Sequence, residues 1–389
     1  PRGRRRRGHM ESRFFTLEAD PRDGTLVLLD KRTGRRWEGL HRLVDGGDRG
    51  DEYNYAPPQE DQLITSPARP PRIQVVAEGP AIWTMEISMV YMLPASLTPD
   101  QRCRSPQMVP CPITTRIHLY ADVPRIDFET EVENHARDHR LRVLFPTGLR
   151  SKHVLADQHL GPVCRPPDPR PFSPSDFEMP VGTQPQKAFC GVEEEGTGIL
   201  LANRGLPEYE ALRGPDGTIT LALTLLRCVG WLSRPELYPW RRGPAGPLLP
   251  TPGAQMLGRW RFHYSLIPYQ GSWEDAMSQA YYFLRPLRAV SLQRGEGVLP
   301  SSASLLEVEP AQVMVSAIKP AEDDDGVVVR IYNPTYRSLP ARLRLAAPAR
   351  WAQEVNLNEE AQGPKLELME GWLETFLPPQ GMRTFKFFP

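Results

Sequence analysis

The chain has 389 residues with 47 basic and 47 acidic side chains, so its formal net charge is zero. Nucleic acids and anionic membranes recruit proteins through broad basic surfaces, and this balance argues against both kinds of partner. Apolar residues at 40% and charged residues at 24% are typical of a soluble globular protein, here long enough for about two domains. The 43 prolines disfavour a long helical bundle, because proline breaks helices and is confined to edges and turns of sheets.

The first ten residues are predicted to lie outside the fold. Arg2 to Arg7 form a basic run that is more typical of a solvated tail than of a nucleic-acid clamp, and Gly8-His9-Met10 resembles a cloning junction. We therefore expect residues 1–10 to be a disordered basic tail or a remnant of cloning.

Two further absences bear on location and metal binding. The five cysteines form no CxxC pair or metal-like spacing, so we expect them in the core or in loops, and we predict no metal site in this chain. The sequence shows no signal peptide and no apolar run of transmembrane length, which predicts a cytoplasmic protein.

Period-two alternation of apolar and polar residues recurs along the chain and predicts an all-β protein. Phe14–Ala19 and Thr25–Asp30 flank the turn Asp20–Gly24 and are expected to form a hairpin. Arg125–Glu133 alternates most clearly, as in a sheet with one solvated face. Further strands are predicted at Arg72–Ala77, Ala81–Tyr91, Thr114–Tyr120, Leu141–Phe145, Gly198–Ala202, Ile219–Leu226 and Arg259–Leu266. So many strands separated by turns predict a large β-sandwich over residues 11–291.

The large sandwich is expected to contain one helix and to be followed by a second domain. Ser272 can cap a helix near residues 272–284, and Arg285-Pro286 would end it. Residues 292–303 have the composition of a linker. Short strands over residues 304–389 predict a small C-terminal β-sandwich of immunoglobulin-like size.

The main candidate site is the loop Asp48–Pro58, which joins strand-like segments. Asp45, Asp48, Asp51 and Glu52 do not follow a calcium-loop pattern, so a solvated acidic turn is favoured over a cation site. Tyr53 and Tyr55 would point to the same side of an extended segment. One ring could then bind a sugar, or both could pack beneath the loop.

Three other segments contain candidate site residues. His135 and His139 flank a predicted hairpin turn, and local hydrogen bonding is favoured over metal ligation. Arg204, at a strand end, could bind hydroxyl groups or form a surface salt bridge. Gly161–Lys187 is irregular and long enough for a lid or binding loop. We find no Ser-His-Asp order, phosphate loop, dinucleotide fingerprint or HExxH motif.

Four segments together resemble one family of enzymes. These are Gly50–Pro58, Asp138–Pro146, Asn203–Glu210 and Leu225–Ser233, and they are similar to the C-terminal half of bacterial α-mannosidases of glycoside hydrolase family 38. The resemblance runs from about Met10 to the end of the chain. It implies a galactose-mutarotase-like supersandwich followed by the small sandwich. It also implies retaining hydrolysis of α-mannosides, with an aspartate nucleophile, a carboxyl acid/base and zinc.

The family's nucleophile and zinc ligands lie in an N-terminal α/β barrel and a helical bundle, and this chain resembles neither. The resemblance therefore predicts a non-catalytic half that completes the sugar cleft, with Tyr53, Arg204, Asp51 and Tyr55 as substrate-binding residues. Its partners would be an α-mannoside and its own N-terminal catalytic domain, which would hold the zinc. A homo-oligomer is left open. The alternatives are a free-standing carbohydrate-binding module, a sugar epimerase and a purely structural role.

Overall fold

The computed structural model describes residues 8–389, except Glu236, Arg294, Glu296, Leu299 and Asp324. The all-β prediction is confirmed. The chain divides into two compact units, the first comprising Pro1–Ala156 and Cys164–Leu284 and the second Asp157–Val163 and Arg285–Pro389. None of the helices in the described part of the chain is both long and apolar enough to cross a membrane.

The first unit is built from three sheets of mainly antiparallel strands. Their strands are β1 His9–Glu11, β2 Phe15–Ala19, β3 Leu26–Asp30, β4 Arg36–Leu40, β5 Arg42–Gly47, β6 Arg72–Glu78, β7 Ile82–Pro94, β8 Met108–Tyr120, β9 Ile126–Asn134, β10 His139–Leu149, β11 Val154–Asp157, β12 Pro162–Arg165, β13 Thr183–Pro185, β14 Phe189–Glu194, β15 Thr197–Asn203, β16 Glu208–Arg213, β17 Ile219–Cys228 and β18 Gly258–Gln270. The strand orders are β1-β2-β3-β4, β13-β16-β17-β10-β5 and β12-β11-β14-β15-β18-β9-β8-β7-β6.

The fold begins earlier than predicted. Residues 1–7, most of the predicted tail, lie outside the described residues. His9–Glu11 forms a strand that pairs with β2, the strand predicted within Phe14–Ala19. This pairing buries the side chain of Met10 fully in the core.

The core of the first unit follows the alternation in the sequence. In β9 the buried positions include Phe128, Thr130 and Val132, while Glu129 and Glu131 lie on the wetter face. Those glutamates form ion pairs with arginines of the neighbouring strands. One face of the sheet is therefore buried in the apolar core, and the other carries ion pairs between neighbouring strands.

The helix α1, Trp273–Leu284, packs against β15 and β18. The Oγ of Ser272 accepts a hydrogen bond from the backbone N–H of Glu274 at 3.2 Å, as a capping residue does. The carboxylate of Glu193 accepts a second bond from the N–H of Trp273. The apolar positions of the helix are buried against the sheet.

The second unit contains two sheets around its own core. Its strands are β19 Leu306–Glu309, β20 Met314–Pro320, β21 Val327–Tyr332, β22 Leu339–Leu345, β23 Trp351–Val355, β24 Ala361–Glu367, β25 Trp372–Leu377 and β26 Met382–Phe388. The strand orders are β19-β22-β25 and β20-β21-β26-β23-β24. Val329, Ile331, Leu343, Phe385 and Phe387 are among the buried residues of this core.

A histidine lies in the core of the first unit. His41, between β4 and β5, is stacked on Phe128 at 5.1 Å between ring centroids, and its Nε2 lies 2.7 Å from the hydroxyl of Tyr264. Burial lowers the pKa of His41 to about 3, because a charged ring in this apolar layer would lose its hydration.

We predict that His41 makes stability depend on pH. The unfolded chain binds a proton to this ring below pH about 6.5 and the folded chain only near pH 3, so stability rises with pH between these values, by up to about 1.4 kcal/mol per unit. His41→Asn should reduce that slope in urea unfolding measured from pH 4 to pH 7. Asparagine suits the positive φ of 63° at this position. The exposed His153→Asn is the control, and equal slopes for H41N and wild type would contradict the prediction.

Candidate functional site

The loop Asp48–Pro58 follows β5, the edge strand that pairs with β10. Its backbone is tied at both ends, by hydrogen bonds from Asp48 N–H to the carbonyl of Asp138 and from Arg49 N–H to that of Ala56, both 2.8 Å. In addition, Glu52 N–H donates to the carbonyl of Trp231 at 3.1 Å. The loop is therefore closed on itself and joined to two other segments.

Three of the four acidic residues of this region are buried and only Glu52 is exposed, so the solvated acidic turn predicted from the sequence is wrong for the aspartates. Asp45, Asp48 and Asp51 have 1% exposure or less. Each carboxylate faces cations from distant parts of the chain, and these pairs are Asp45 with Arg104 and His139, Asp48 with Arg227, and Asp51 with Arg241. Pairing of this kind is what allows a charge to be buried.

Asp51 accepts hydrogen bonds at both carboxylate oxygens. Oδ1 accepts from the backbone N–H groups of Tyr53 at 3.0 Å and Asn54 at 2.9 Å, which closes a tight turn. Oδ2 accepts from the N–H of Arg234 at 2.8 Å and from Nη2 of Arg241 at 2.5 Å. Burial raises the pKa of Asp51, but Arg241 and these backbone donors together lower it by more, so the net shift of the pKa is downward. The predicted sugar contact of Asp51 would have to displace one of these donors.

Arg241 joins the loop to the segment of residues 233–246. Its fully buried guanidinium donates to Asp51, to the side-chain oxygen of Asn54 and to the backbone carbonyls of Gly243 and Arg234. Arginine presents its donors in a planar, rigid arrangement, so these contacts fix the position of the loop as well as its charge.

The two tyrosines of the loop face different environments. Tyr53 is 52% exposed, and its ring lies over Gly246, where an added Cβ would come within 2.7 Å of the tyrosine hydroxyl. Tyr55 lies against Arg140, whose guanidinium carbon is 3.4 Å from the ring centroid. The segment is a turn and not an extended strand. The expectation that both rings point to the same side is therefore wrong.

Tyr55 covers a layer of charges on the outer face of the five-stranded sheet. Arg140 is almost fully buried and lies 3.6 Å from the carboxylates of Glu208 and Glu210, while Arg142 pairs with Glu210 at 2.5 Å. Burial raises the pKa of the Tyr55 hydroxyl. The structure therefore places Tyr53 at the surface and Tyr55 between the loop and the sheet.

Arg204 lies at the end of β15 and contacts α1. Its Nε donates to the carbonyl of Phe283 at 2.9 Å, and its guanidinium carbon is 4.3 Å from the centroid of the Phe283 ring. Its partner is thus the last turn of a helix, where carbonyls lack partners within the helix, and not the carboxylate of a surface salt bridge. These contacts belong to a different part of the unit from those of Tyr53.

The segment between β9 and β10 is not the predicted hairpin turn, because β9 pairs with β8 and β18 whereas β10 pairs with β5 and β17 of another sheet. His135 and His139 have different surroundings in this connection. His135 is exposed and bonds the carbonyl of Pro110. His139 is fully buried, with Nδ1 2.5 Å from Asp45 and Nε2 3.0 Å from the side-chain oxygen of Asn134. Burial alone would lower the pKa of His139, but Cys228 and Asp45 raise it, to about 10. A ring that donates from both nitrogens cannot ligate a metal.

Metal binding finds no support in this region. No cluster of three or more His, Cys, Asp or Glu side chains in the described ranges is arranged to hold an ion. Asp48 and Asp51 are already paired with arginines, and Asp45 of β5 with an arginine and a histidine. Arg104 and Arg241 were not predicted as partners, because they lie far from these aspartates along the chain. Arg227, in contrast, falls within the motif Leu225–Ser233.

Comparison with known proteins identifies the family. Residues 10–235 match the sequence profile of the glycosyl hydrolases family 38 C-terminal domain, and residues 312–385 match that of the family 38 C-terminal β-sandwich domain. The chain belongs to glycoside hydrolase family 38. The resemblance inferred from the four motifs is thereby confirmed.

Several known proteins are similar to this chain over most of its length. A putative mannosylglycerate hydrolase of Halalkalibacterium halodurans is 26% identical over 331 residues, which cover 80% of this chain and 34% of that protein. Human α-mannosidase 2C1 is 27% identical over 246 residues, covering 62% and 21%. The crystal structure of an α-mannosidase from Enterococcus faecalis is 31% identical with a TM-score of 0.84, covering 98% and 42%. The chain thus spans less than half of each of these relatives.

We predict that the pair of Asp51 and Arg241 is a main stabilising contact of the loop. Asp51→Asn keeps the shape of the side chain but leaves the buried guanidinium without a counter-charge, which should cost about 3–5 kcal/mol in the free energy of unfolding. Urea titration monitored by tryptophan fluorescence measures this. Asp176→Asn, which removes an exposed pair with Arg170, is the control and should have a much smaller effect. Equal losses in the two variants would contradict the prediction.

Proposed function

We propose that this chain is the non-catalytic C-terminal half of an α-mannosidase-like glycosidase, in which it completes the sugar cleft and supports a zinc-dependent catalytic domain. The observation that carries the proposal is the match to both family 38 C-terminal domains, which together span most of the chain. The names of the relatives favour an α-mannoside or mannosylglycerate as the substrate. The catalytic domain would carry out retaining hydrolysis. We expect the parent protein in the cytoplasm.

In this proposal the loop contributes orientation. Tyr53 is an exposed ring on a loop that the buried Asp51–Arg241 pair holds in place. A side chain fixed before the substrate arrives loses little conformational freedom on binding. Clefts at domain boundaries are common ligand sites, since one domain can supply the reacting groups while the other positions the substrate.

The remaining predicted residues take supporting roles. Arg204 would form part of the cleft wall, where its guanidinium is held by the end of α1. Asp51 and Tyr55 would act mainly through the loop, because their polar atoms and ring face are engaged by Arg241 and Arg140. Zinc would be held by the catalytic domain, since the described residues offer no matching donor set.

The first test uses the isolated chain. Purified residues 1–389 should hydrolyse no 4-nitrophenyl α-mannoside, with or without added zinc, because the proposal places the nucleophile and the metal ligands in another domain. Release of nitrophenol is measured by absorbance against the buffer alone. Zinc-dependent turnover that co-purifies with the chain would overturn the proposal.

The second test asks whether Tyr53 contacts the sugar. In a chimera, this chain replaces the corresponding region of the Enterococcus faecalis α-mannosidase, which aligns with 98% of it. We expect the chimera to be active and Tyr53→Phe to lower kcat/KM about threefold to tenfold, as for the loss of one hydrogen bond.

The control for this substitution is Tyr238→Phe, which changes another exposed tyrosine of the same unit. It should leave kcat/KM unchanged. Identical kinetics for Tyr53→Phe and the unsubstituted chimera would assign Tyr53 to packing alone.

A further inference from the structure

The outer face of the three-stranded sheet β19-β22-β25 in the second unit carries aligned polar and aromatic side chains. The strand register places Glu309, Arg342 and Glu374 in one row across the sheet. The next row places Pro340 beside Phe376. Neighbouring strands are about 4.8 Å apart, so the members of a row are spaced at intervals comparable with the width of a pyranose ring.

Contacts within the face hold its central arginine. The Nε of Arg342 donates to the carboxylate of Glu309 at 2.6 Å, and its guanidinium carbon is 4.5 Å from the centroid of Trp372. Arg344, in the adjacent row, pairs with Glu307 and also faces Trp372. Arg342 and Glu309 are therefore positioned without any ligand.

Phe376 is the unusual member of this face. Leu373 and Leu377 of the same strand are buried in the core, but the ring of Phe376 is 67% exposed. It lines an open depression of about 580 Å³ together with Glu309, Pro310, Pro340, Arg342 and Glu374. That volume lies within the range of about 300–1,000 Å³ usual for small-ligand sites.

We propose that this depression is a saccharide-binding site for a neutral hexose oligosaccharide. The ring of Phe376 stacks on the apolar C–H face of a pyranose, Arg342 donates hydrogen bonds to hydroxyl oxygens, and Glu309 and Glu374 accept hydrogen bonds from hydroxyl groups. The site is separate from the loop Asp48–Pro58, so it does not depend on the proposed function.

The charges of the depression favour a neutral polyhydroxyl ligand. Carboxylates only accept hydrogen bonds and guanidinium groups only donate them, whereas a sugar hydroxyl does both. An anion would be repelled by Glu309 and Glu374, and a cation would compete with Arg342 for them. The exposed apolar part, one ring and two prolines, is small compared with the 20–30 residues a side of a typical protein interface.

The test is a fluorine NMR titration of the full chain labelled with 5-fluorotryptophan. Trp372 reports on this face and Trp231 on the surroundings of the loop, since it accepts a backbone hydrogen bond from Glu52. Each signal is assigned by a Trp→Phe variant. The probes are mannotriose, maltotriose and cellotriose. At least one of them should shift the Trp372 signal, with a dissociation constant of about 1 mM or tighter.

Two substitutions make the test specific. Phe376→Ala should weaken binding at the Trp372 signal by about tenfold or more, and because Phe376 is exposed its loss should leave the melting temperature unchanged. The control Phe172→Ala removes an exposed ring of the first unit and should leave this binding unaltered.

Three results would overturn the proposal. The first is that no probe shifts the Trp372 signal at 10-fold the expected dissociation constant, or about 10 mM. The second is binding there that Phe376→Ala does not weaken. The third is a concentration-dependent dimer in sedimentation velocity that Phe376→Ala dissociates, with no response to sugar, which would make this face a contact between copies. A shift of the Trp231 signal alone is a case of the first result, and it would place sugar binding near the loop Asp48–Pro58 of the proposed function.

Discussion

The structure of the loop Asp48–Pro58 depends on the pairing of buried carboxylates with cations from distant parts of the chain. Moving one carboxylate out of water costs several kcal/mol unless a counter-charge and hydrogen bonds compensate it. Asp45 is paired with Arg104 of the β7–β8 connection and with His139 of β10. Asp48 is paired with Arg227 of β17, and Asp51 with Arg241. Loss of any one partner would leave a charge in the interior, so the loop has few alternative conformations.

This pairing also limits the chemistry that the loop can perform. A general acid must carry a proton near neutral pH, and a nucleophile needs an accessible oxygen. Asp51 meets neither requirement, because Arg241 and the backbone donors keep its pKa below the usual range and occupy both oxygens. Among the acidic and aromatic side chains of the loop, Glu52 and Tyr53 are exposed. A contribution of Tyr53 to substrate orientation is consistent with this arrangement, whereas acid–base or nucleophilic work by the buried Asp51 is not.

The sequence predicted strands with clear alternating patterns, such as β9, and the helix that follows Ser272. It did not predict the short strands β5 and β16, because their alternating patterns are too short to be distinguished from chance alternation in a loop. Nor could it predict the burial of the acidic residues. Composition makes Asp48–Glu52 resemble a solvated turn, and only the fold brings Arg227 and Arg241 to it across more than 170 residues. Long-range charge pairing leaves no local signal in a single sequence.

The two charged sheet faces of the protein share one design but differ in what covers them. On the five-stranded sheet, Arg140 lies among glutamates, and Tyr55 rests on its guanidinium at 3.4 Å, so this guanidinium is almost fully buried. On the three-stranded sheet, Arg342 also lies beside a glutamate, but the nearby Phe376 stays exposed over an open depression. An aromatic ring that seals a charge layer stabilises the fold, because it excludes water from the ion pairs. An aromatic ring that stays in water beside such donors and acceptors contributes no hydrophobic stabilisation until a ligand with an apolar face covers it.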